Sequence, residues 1–182
     1  MRAYRTKRLS QATALRKIHA NKATAYDNAN PEHEKMLLEF WDVTFPKRTM
    51  KGAQPTPISN RWKELGFQGD DPATDFRGMG ILGLQNLIYF SKNYADEFRT
   101  LLSHRREYPM ACAGINLTAM LLKQLMHHDG SVKGDSELFN LMCRDGREEA
   151  FEVKGVDLTP TRIPTLSLTL IAGNLLHRLC LV

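Results

Sequence analysis

The sequence predicts an all-α protein, a single compact multi-helix domain followed by an irregular C-terminal tail. Apolar residues recur with the helical period along most of the chain, and helix-capping residues precede several of these stretches. No run of alternating strand residues occurs before residue 150. The chain has 182 residues, of which 42% are hydrophobic and 25% charged, which is typical of one globular domain.

The first two helices follow from apolar spacing and from a capping signal. An N-terminal amphipathic stretch carries Leu9, Ala12, Leu15 and Ile18. Asn30 followed by Pro31 predicts the start of the next helix, because asparagine caps a helix and proline fits its first turn. One face of this second helix carries four residues that we expect in the core, Leu37, Phe40, Trp41 and Thr44.

The middle of the chain is predicted to contain loops around one short helix. Three prolines and a glycine indicate a loop from Pro46 to Pro57. Ser59 caps a short helix in this interpretation, and Gly66 ends it. Residues 67–77 are polar and rich in turn-forming residues, so they predict turns.

Further helices are predicted from Gly80 to Phe90, around Phe98, and from Pro109 to Met126. The last of these is apolar on nearly every face, so we expect it to be the central buried helix. Apolar positions at Leu138, Leu141 and Met142 predict one more short helix. Residues 147–182 are predicted to form an irregular tail, because the prolines within it break any helix.

Basic residues are concentrated in an N-terminal arm. Residues 1–22 hold seven bases and no acid, whereas the rest of the chain has 18 bases and 20 acids. Because the chain after residue 22 is nearly neutral, it is not expected to bind nucleic acid. Three interpretations of residues 2–22 stay open: a solvated helix face, a weak contact with acidic membranes, or a mitochondrial targeting sequence.

The spacing of the cysteines, histidines and glycines argues against several kinds of functional site. The three cysteines form no CxxC pair, which argues against a disulfide framework and a zinc module and indicates a reducing compartment. None of the six histidines has metal-ligand spacing, so no metal site is predicted.

Residues 78–83 read GxGxxG, but turn residues precede them instead of a strand, so a dinucleotide site is not expected. Gly80 and Gly83 are instead expected to let a helix approach its neighbour closely.

The densest group of unusual residues runs from Trp62 to Phe90 and follows the pattern W-x3-G-F-Q-x3-P-x-T-D-F-R-G-x-G-x3-L-x2-L-x2-F. This pattern resembles the signature of the ELMO domain, and especially of the ELMO-domain-containing (ELMOD) family. Every fixed position is met, and the resemblance extends from about residue 26 to about residue 144. Its partner-binding or motif positions fall on Trp62, Gly66, Phe67, Gln68, Pro72, Thr74, Asp75, Phe76, Gly78 and Gly80.

The resemblance implies a GTPase-activating protein for small GTPases of the Arf family, including Arf-like members. It places the catalytic arginine finger, supplied in trans, on Arg77. Asp75 and Gln68 are expected to orient Arg77 or the partner, while Trp62, Phe67 and Phe76 are expected to be core anchors. The alternative for Arg77 is a buried ion pair with Asp75 or Asp71.

The resemblance also sets the expected domain limits. These are a basic arm over residues 1–25, an ELMO domain over residues 26–146 that lacks its last helical segment, and the tail over residues 147–182. The chain is then a regulator of a GTPase and not an enzyme with its own substrate site. No cofactor is expected, since GTP and Mg²⁺ belong to the partner. A cytoplasmic location is expected, with mitochondrial targeting by the arm as the alternative.

Two other functions are compatible with the sequence. One is a non-catalytic interaction module of the kind found in engulfment and motility scaffolds of the Dock pathway. The other is an inactive truncated product.

Overall fold

The computed structural model describes residues 16–49, 54–103 and 109–125. Within these ranges every regular element is a helix and no strand occurs, which confirms the all-α prediction. Residues Lys22–Asn116 form one compact unit, and residues 16–21 and 117–125 belong to a second. The predicted helix around Leu138, the tail of residues 147–182 and the arm before residue 16 lie outside the described residues.

The first two helices confirm the capping argument. Helix α1 is described over residues 16–23, and helix α2 spans Pro31–Thr44. The side-chain oxygen of Asn30 accepts a hydrogen bond from the backbone N–H of Glu32 at 2.9 Å, so the cap works as the sequence indicates. The expected core face of α2 is buried, at Leu37, Phe40, Trp41 and Thr44.

The predicted loop from Pro46 to Pro57 is wrong at its start. Residues Pro46–Thr49 form a short helix, α3, of one turn. Proline is pre-organised for the first position of a helix, and the backbone N–H of Arg48 bonds to Phe45 O at 2.9 Å. Residues 50–53 lie outside the described residues.

Two short 3-10 helices follow. The first, η1, spans Asn60–Leu65 and confirms the helix that Ser59 was expected to cap and Gly66 to end. The second, η2, spans Pro72–Gly78, where turns were predicted. This correction has a local cause: Asp71 caps the segment and Pro72 occupies its first position, which repeats the Asn30–Pro31 signal at the start of α2.

The remaining described helices build the core. They are α4 (Gly80–Asn93), α5 (Ala95–Ser103) and α6 (Met110–Leu125). Helix α4 packs against α2. The ring of Phe98 on α5 makes edge contacts with Phe40 at 5.8 Å and with Phe90 at 5.5 Å between ring centroids. These aromatic contacts join α2, α4 and α5 in one core.

The two glycines of α4 serve different purposes. A Cβ atom at Gly83 would lie 3.3 Å from Phe76 Cδ1 and 3.4 Å from Ile115 Cγ1, so the expected close helix approach is confirmed there. Gly80 has a φ of +54°, a left-handed conformation that side chains disfavour. The role of Gly80 is therefore to let the chain turn from η2 into α4.

Helix α6 is less buried than its apolar sequence predicts. Met110 and Ala111 are fully buried, but Asn116 is exposed and Met120 is 57% exposed. The expectation of burial on nearly every face is therefore wrong along this side of the helix. No helix in the described part of the chain combines the length and the apolar character that a membrane span requires.

Candidate functional site

The motif region folds as two short helices joined by residues 66–71, which begin with a tight turn at Gly66. Gly66 has a φ of +87°, and a Cβ there would lie 2.3 Å from Met110 N and 2.6 Å from Pro109 C. The backbone N–H of Cys112 also donates to Gly66 O at 3.2 Å. Only glycine fits this position, where the turn lies directly against the start of α6.

Aromatic residues of the motif anchor this region in the core, as the sequence indicates. Trp62 and Phe76 are completely buried, and Phe67 is nearly so. Phe67 lies between them, with ring centroids 6.2 Å from Trp62 and 5.6 Å from Phe76. The ring of Tyr26 packs on the Phe76 ring at 5.2 Å. Both short helices are therefore fixed to the same core.

The start of η2 is held by a second set of contacts. Asp71 Oδ1 accepts hydrogen bonds from the backbone N–H of Ala73 and from Asn28 Nδ2, both at 3.0 Å. The hydroxyl of Thr74 donates to Asp71 O at 2.8 Å. Pro72 is buried at the first position of the helix. The carboxylate of Asp71 is thus used for capping and for the link to Asn28.

Asp75 links η2 to two other segments. Its Oδ2 accepts a hydrogen bond from the backbone N–H of Gln68 at 3.2 Å, and its Oδ1 accepts one from Cys112 Sγ at 3.6 Å. Burial, and then the neighbouring carboxylate, raise the pKa of the Cys112 thiol to about 12. Asp75 was expected to orient Arg77 or the partner, but its hydrogen bonds come from Gln68 and Cys112 and not from Arg77.

Arg77 is exposed near the end of η2. Its Nε donates to Thr74 O at 2.9 Å, one turn back along the same helix. Among the described residues no acidic side chain forms an ion pair with it, and the side-chain hydrogen bonds of Asp71 and Asp75 go to other groups. The alternative of a buried ion pair at Arg77 is therefore wrong.

The ten predicted motif positions and Arg77 divide into a buried set and an exposed set. The buried residues are Trp62, Gly66, Phe67, Pro72, Phe76 and Gly80. Asp75 is half-buried. The exposed residues, which we call the Arg77 surface, are Gln68, Thr74, Arg77 and Gly78. The buried set accounts for the fold of the motif, so the exposed set is the part available to a partner.

Three residues of this region were not identified from the sequence as parts of a site: Asn28, Asp71 in its capping role, and Cys112. Asp71 could have been found, because an Asp-Pro pair carries the same helix-start signal as Asn30-Pro31. Nothing in the sequence connects Cys112 with Asp75. The described residues contain no cluster of three or more histidine, cysteine or acidic side chains that could hold a metal ion.

Comparison with known proteins agrees with the resemblance of the motif. A sequence model of the ELMO/CED-12 family matches residues 16–152. ELMO domain-containing protein 2 of Mus musculus is 52% identical over 99 residues, which cover 52% of this chain and 32% of that protein. ELMO domain-containing protein B of Dictyostelium discoideum is 46% identical over 108 residues, 58% of this chain and 37% of its own length. The chain thus spans about a third of the length of these curated relatives, and no solved structure matches it.

Proposed function

The chain belongs to the ELMO/CED-12 family, and on that premise we propose that it activates GTP hydrolysis on a small GTPase of the Arf family. Arg77 is the arginine finger in this proposal, and it is supplied in trans to the nucleotide of the partner. The single observation that carries the proposal is the exposed guanidinium of Arg77, which lacks an acidic partner among the described residues.

The chemistry of GTP hydrolysis explains why an arginine is suited to this position. Negative charge spreads over the oxygens of the transferring phosphoryl group, and a guanidinium placed against them stabilises the transition state by a factor of about 10³–10⁵ in rate. Arginine stays protonated and presents a planar set of donors that matches phosphate oxygens. Among the described residues, the Arg77 side chain makes one hydrogen bond, from Nε to Thr74 O, which leaves both terminal nitrogens for this purpose.

The surroundings of Arg77 support a finger because they are tied to the core by burial and by hydrogen bonds. A catalytic group contributes most when its own protein already holds it in position before the partner binds. Phe76 directly before Arg77 is completely buried, and Met79 shortly after it is 7% exposed. Asp71 and Asp75 fasten the helix at two further points. The exposed arginine thus stands on a short helix whose neighbours are fixed.

This function assigns no cofactor to the chain. GTP and its Mg²⁺ are bound by the GTPase, and the chain contributes the arginine and a docking surface. The proposed partner is the GTP-bound form, because only that form carries the phosphoryl group that Arg77 would stabilise.

Single-turnover GTP hydrolysis on a panel of Arf and Arf-like GTPases tests the proposal. We expect the chain to accelerate hydrolysis on at least one member and Arg77→Ala to remove the acceleration. Arg99→Ala is the matched control, because Arg99 is also exposed and forms only a surface ion pair with Asp96 at 2.9 Å. Binding to a GTPase without acceleration would instead make the chain a non-catalytic interaction module.

A further inference from the structure

Gly78 is a glycine that the fold does not require. Apart from its two chain neighbours, a Cβ atom built at Gly78 meets no atom of the described residues within 4 Å. Its φ lies outside the left-handed region, which among the described glycines is adopted only by Gly66 and Gly80. Gly78 is also exposed at the last position of η2. An alanine would therefore fit at this position without strain.

Three other glycines of the motif region, Gly66, Gly80 and Gly83, behave differently. Gly66 lies against backbone atoms of α6, and Gly83 lies against Phe76 and Ile115. Gly80 needs its positive φ. Each of these three has a reason within the fold, whereas Gly78 and Gly69 have none. Of these two, only Gly78 is next to Arg77, so we look for its reason outside the chain.

We propose that the missing side chain at Gly78 lets a GTP-bound Arf-family GTPase come into van der Waals contact with the backbone beside Arg77. This inference rests on the proposed function. A finger has to bring its guanidinium to the phosphates, so the backbone that carries it is drawn close to the partner. Gly78 is the next residue along this backbone, and a Cβ there would stand between the two proteins.

The backbone at Gly78 has little freedom to retreat from such a clash. Phe76 and Met79 on either side of the Arg77–Gly78 pair are buried. The backbone N–H of Met79 donates to Phe76 O at 3.1 Å, which closes the turn around the pair. A side chain added at position 78 would therefore clash with the partner, because the backbone cannot shift to make room for it.

Two variants of graded size, Gly78→Ala and Gly78→Leu, test the contact. Their affinity is measured by interferometry against the panel GTPases loaded with a non-hydrolysable GTP analogue, with single-turnover hydrolysis and thermal unfolding in parallel. Gly69→Ala is the matched control, because a Cβ at Gly69 would meet only Asp71 N, at an ordinary 3.9 Å.

We expect Gly78→Ala to weaken binding about tenfold, the order of effect that an overpacked methyl group causes, and Gly78→Leu to weaken it further. The unfolding midpoint of Gly78→Ala should stay the same or rise, since alanine restricts the unfolded chain. Gly69→Ala should bind like the parent chain. Unchanged affinity in both Gly78 variants overturns the proposal, and so does a midpoint several degrees lower in Gly78→Ala.

The two proposals fail in different ways. If the parent chain binds a GTPase without accelerating hydrolysis and the Gly78 variants lose that binding, the contact stands and GTPase activation fails. If the chain accelerates hydrolysis and the Gly78 variants do so equally well, activation stands and the contact fails. If the parent chain binds no member of the panel, both are overturned.

Discussion

The thiol of Cys112 donates to Asp75 Oδ1 at 3.6 Å, which connects α6 with the short helix that carries Arg77. The other oxygen of the same carboxylate accepts the backbone N–H of Gln68 at 3.2 Å. One side chain, two residues before Arg77, thus joins three segments of the chain. Asp75 does not bond to Arg77, so any influence on the arginine passes through the position of η2.

We expect Asp75→Ala to reduce the maximal rate of stimulated GTP hydrolysis more than it reduces affinity for the GTPase. The variant loses both hydrogen bonds of the Asp75 carboxylate, so η2 holds the arginine less firmly, although the Arg77 surface keeps its side chains. Stability should fall by roughly 1–2 kcal/mol, since two hydrogen bonds are lost. Single-turnover rates at increasing concentrations of the chain separate the maximal rate from the half-saturating concentration.

Asp70→Ala is the control for this variant, because Asp70 lies in the same loop and its side chain forms an exposed ion pair with Lys63 at 2.7 Å. Asp70→Ala should change neither the maximal rate nor the half-saturating concentration by more than about twofold. In an Arg77→Ala background, Asp75→Ala should have no additional effect on the rate if it acts through the arginine. An equal loss of rate in both backgrounds would contradict a positioning role.

The raised pKa of Cys112 predicts that the protein loses stability in alkaline solution. Burial and the Asp75 carboxylate raise this pKa from an ordinary value near 9 to about 12, so the folded state keeps a proton that the unfolded state has released. The contribution to the free energy of unfolding is therefore complete below pH 9 and declines as the pH rises from about 9 to about 12. Denaturant unfolding at a series of pH values measures the decline.

Cys112→Ala removes the titrating group and should make the alkaline decline shallower than in the parent chain. It should not abolish it, because burial and nearby carboxylates, Glu34 foremost, also raise the pKa of Tyr26. The Cys112→Ala and Tyr26→Phe double variant should show the shallowest decline of the set. Parallel stability curves for the parent chain and Cys112→Ala would show that the thiol keeps its ordinary pKa.

The parts of the fold that the sequence predicts correctly depend on neighbours close along the chain. Asn30 caps α2 through a bond to a residue two positions on, and Ser59 does the same for η1. The burial of Leu37 and Phe40 follows from helical spacing alone. Such features need no knowledge of tertiary structure, and for this reason the caps and core faces of the helices could be predicted.

The features that could not be predicted depend on distant partners. Asp75 and Cys112 are 37 residues apart, and no sequence pattern relates them. Whether Arg77 pairs with a nearby acid depends on the tertiary structure, in which Arg77 is exposed and Asp71 accepts a hydrogen bond from Asn28, 43 positions away. The motif alone therefore cannot exclude a buried ion pair at Arg77. The exposure of Arg77 and the hydrogen bonds of Asp71 and Asp75 to other groups do exclude it.

Gly66→Ala should destabilise the fold severely. The new Cβ would lie 2.3 Å from Met110 N, and the residue would have to keep a φ of +87°. The left-handed conformation costs about 1–2 kcal/mol and overpacking about 1–3 kcal/mol, so we expect a total loss of roughly 2–5 kcal/mol. Chemical denaturation compares this variant with Gly69→Ala, where the change should stay within about 0.5 kcal/mol. Similar midpoints for the two variants would mean that the chain at Gly66 can move away from α6.

Arg77→Lys tests whether the shape of the guanidinium matters as well as its charge. Lysine keeps the positive charge but loses the planar fork and the Nε donor that bonds to Thr74 O at 2.9 Å. Because Arg77 is exposed and forms no ion pair among the described residues, the unfolding midpoint should change little. The variant should nevertheless lose most of the acceleration of GTP hydrolysis, because an arginine finger contributes a factor of about 10³–10⁵ to the rate.

Single-turnover hydrolysis at a saturating concentration of Arg77→Lys measures this loss, with Arg99→Lys as the control that keeps full activity. Near-parental acceleration by Arg77→Lys would refute the finger, since a positive charge at this position would then suffice for docking the GTPase. A cooperative unfolding transition in Arg77→Lys ensures that lost activity reflects the missing fork. A strongly lowered midpoint would show instead that Arg77 stabilises η2 through its bond to Thr74 O.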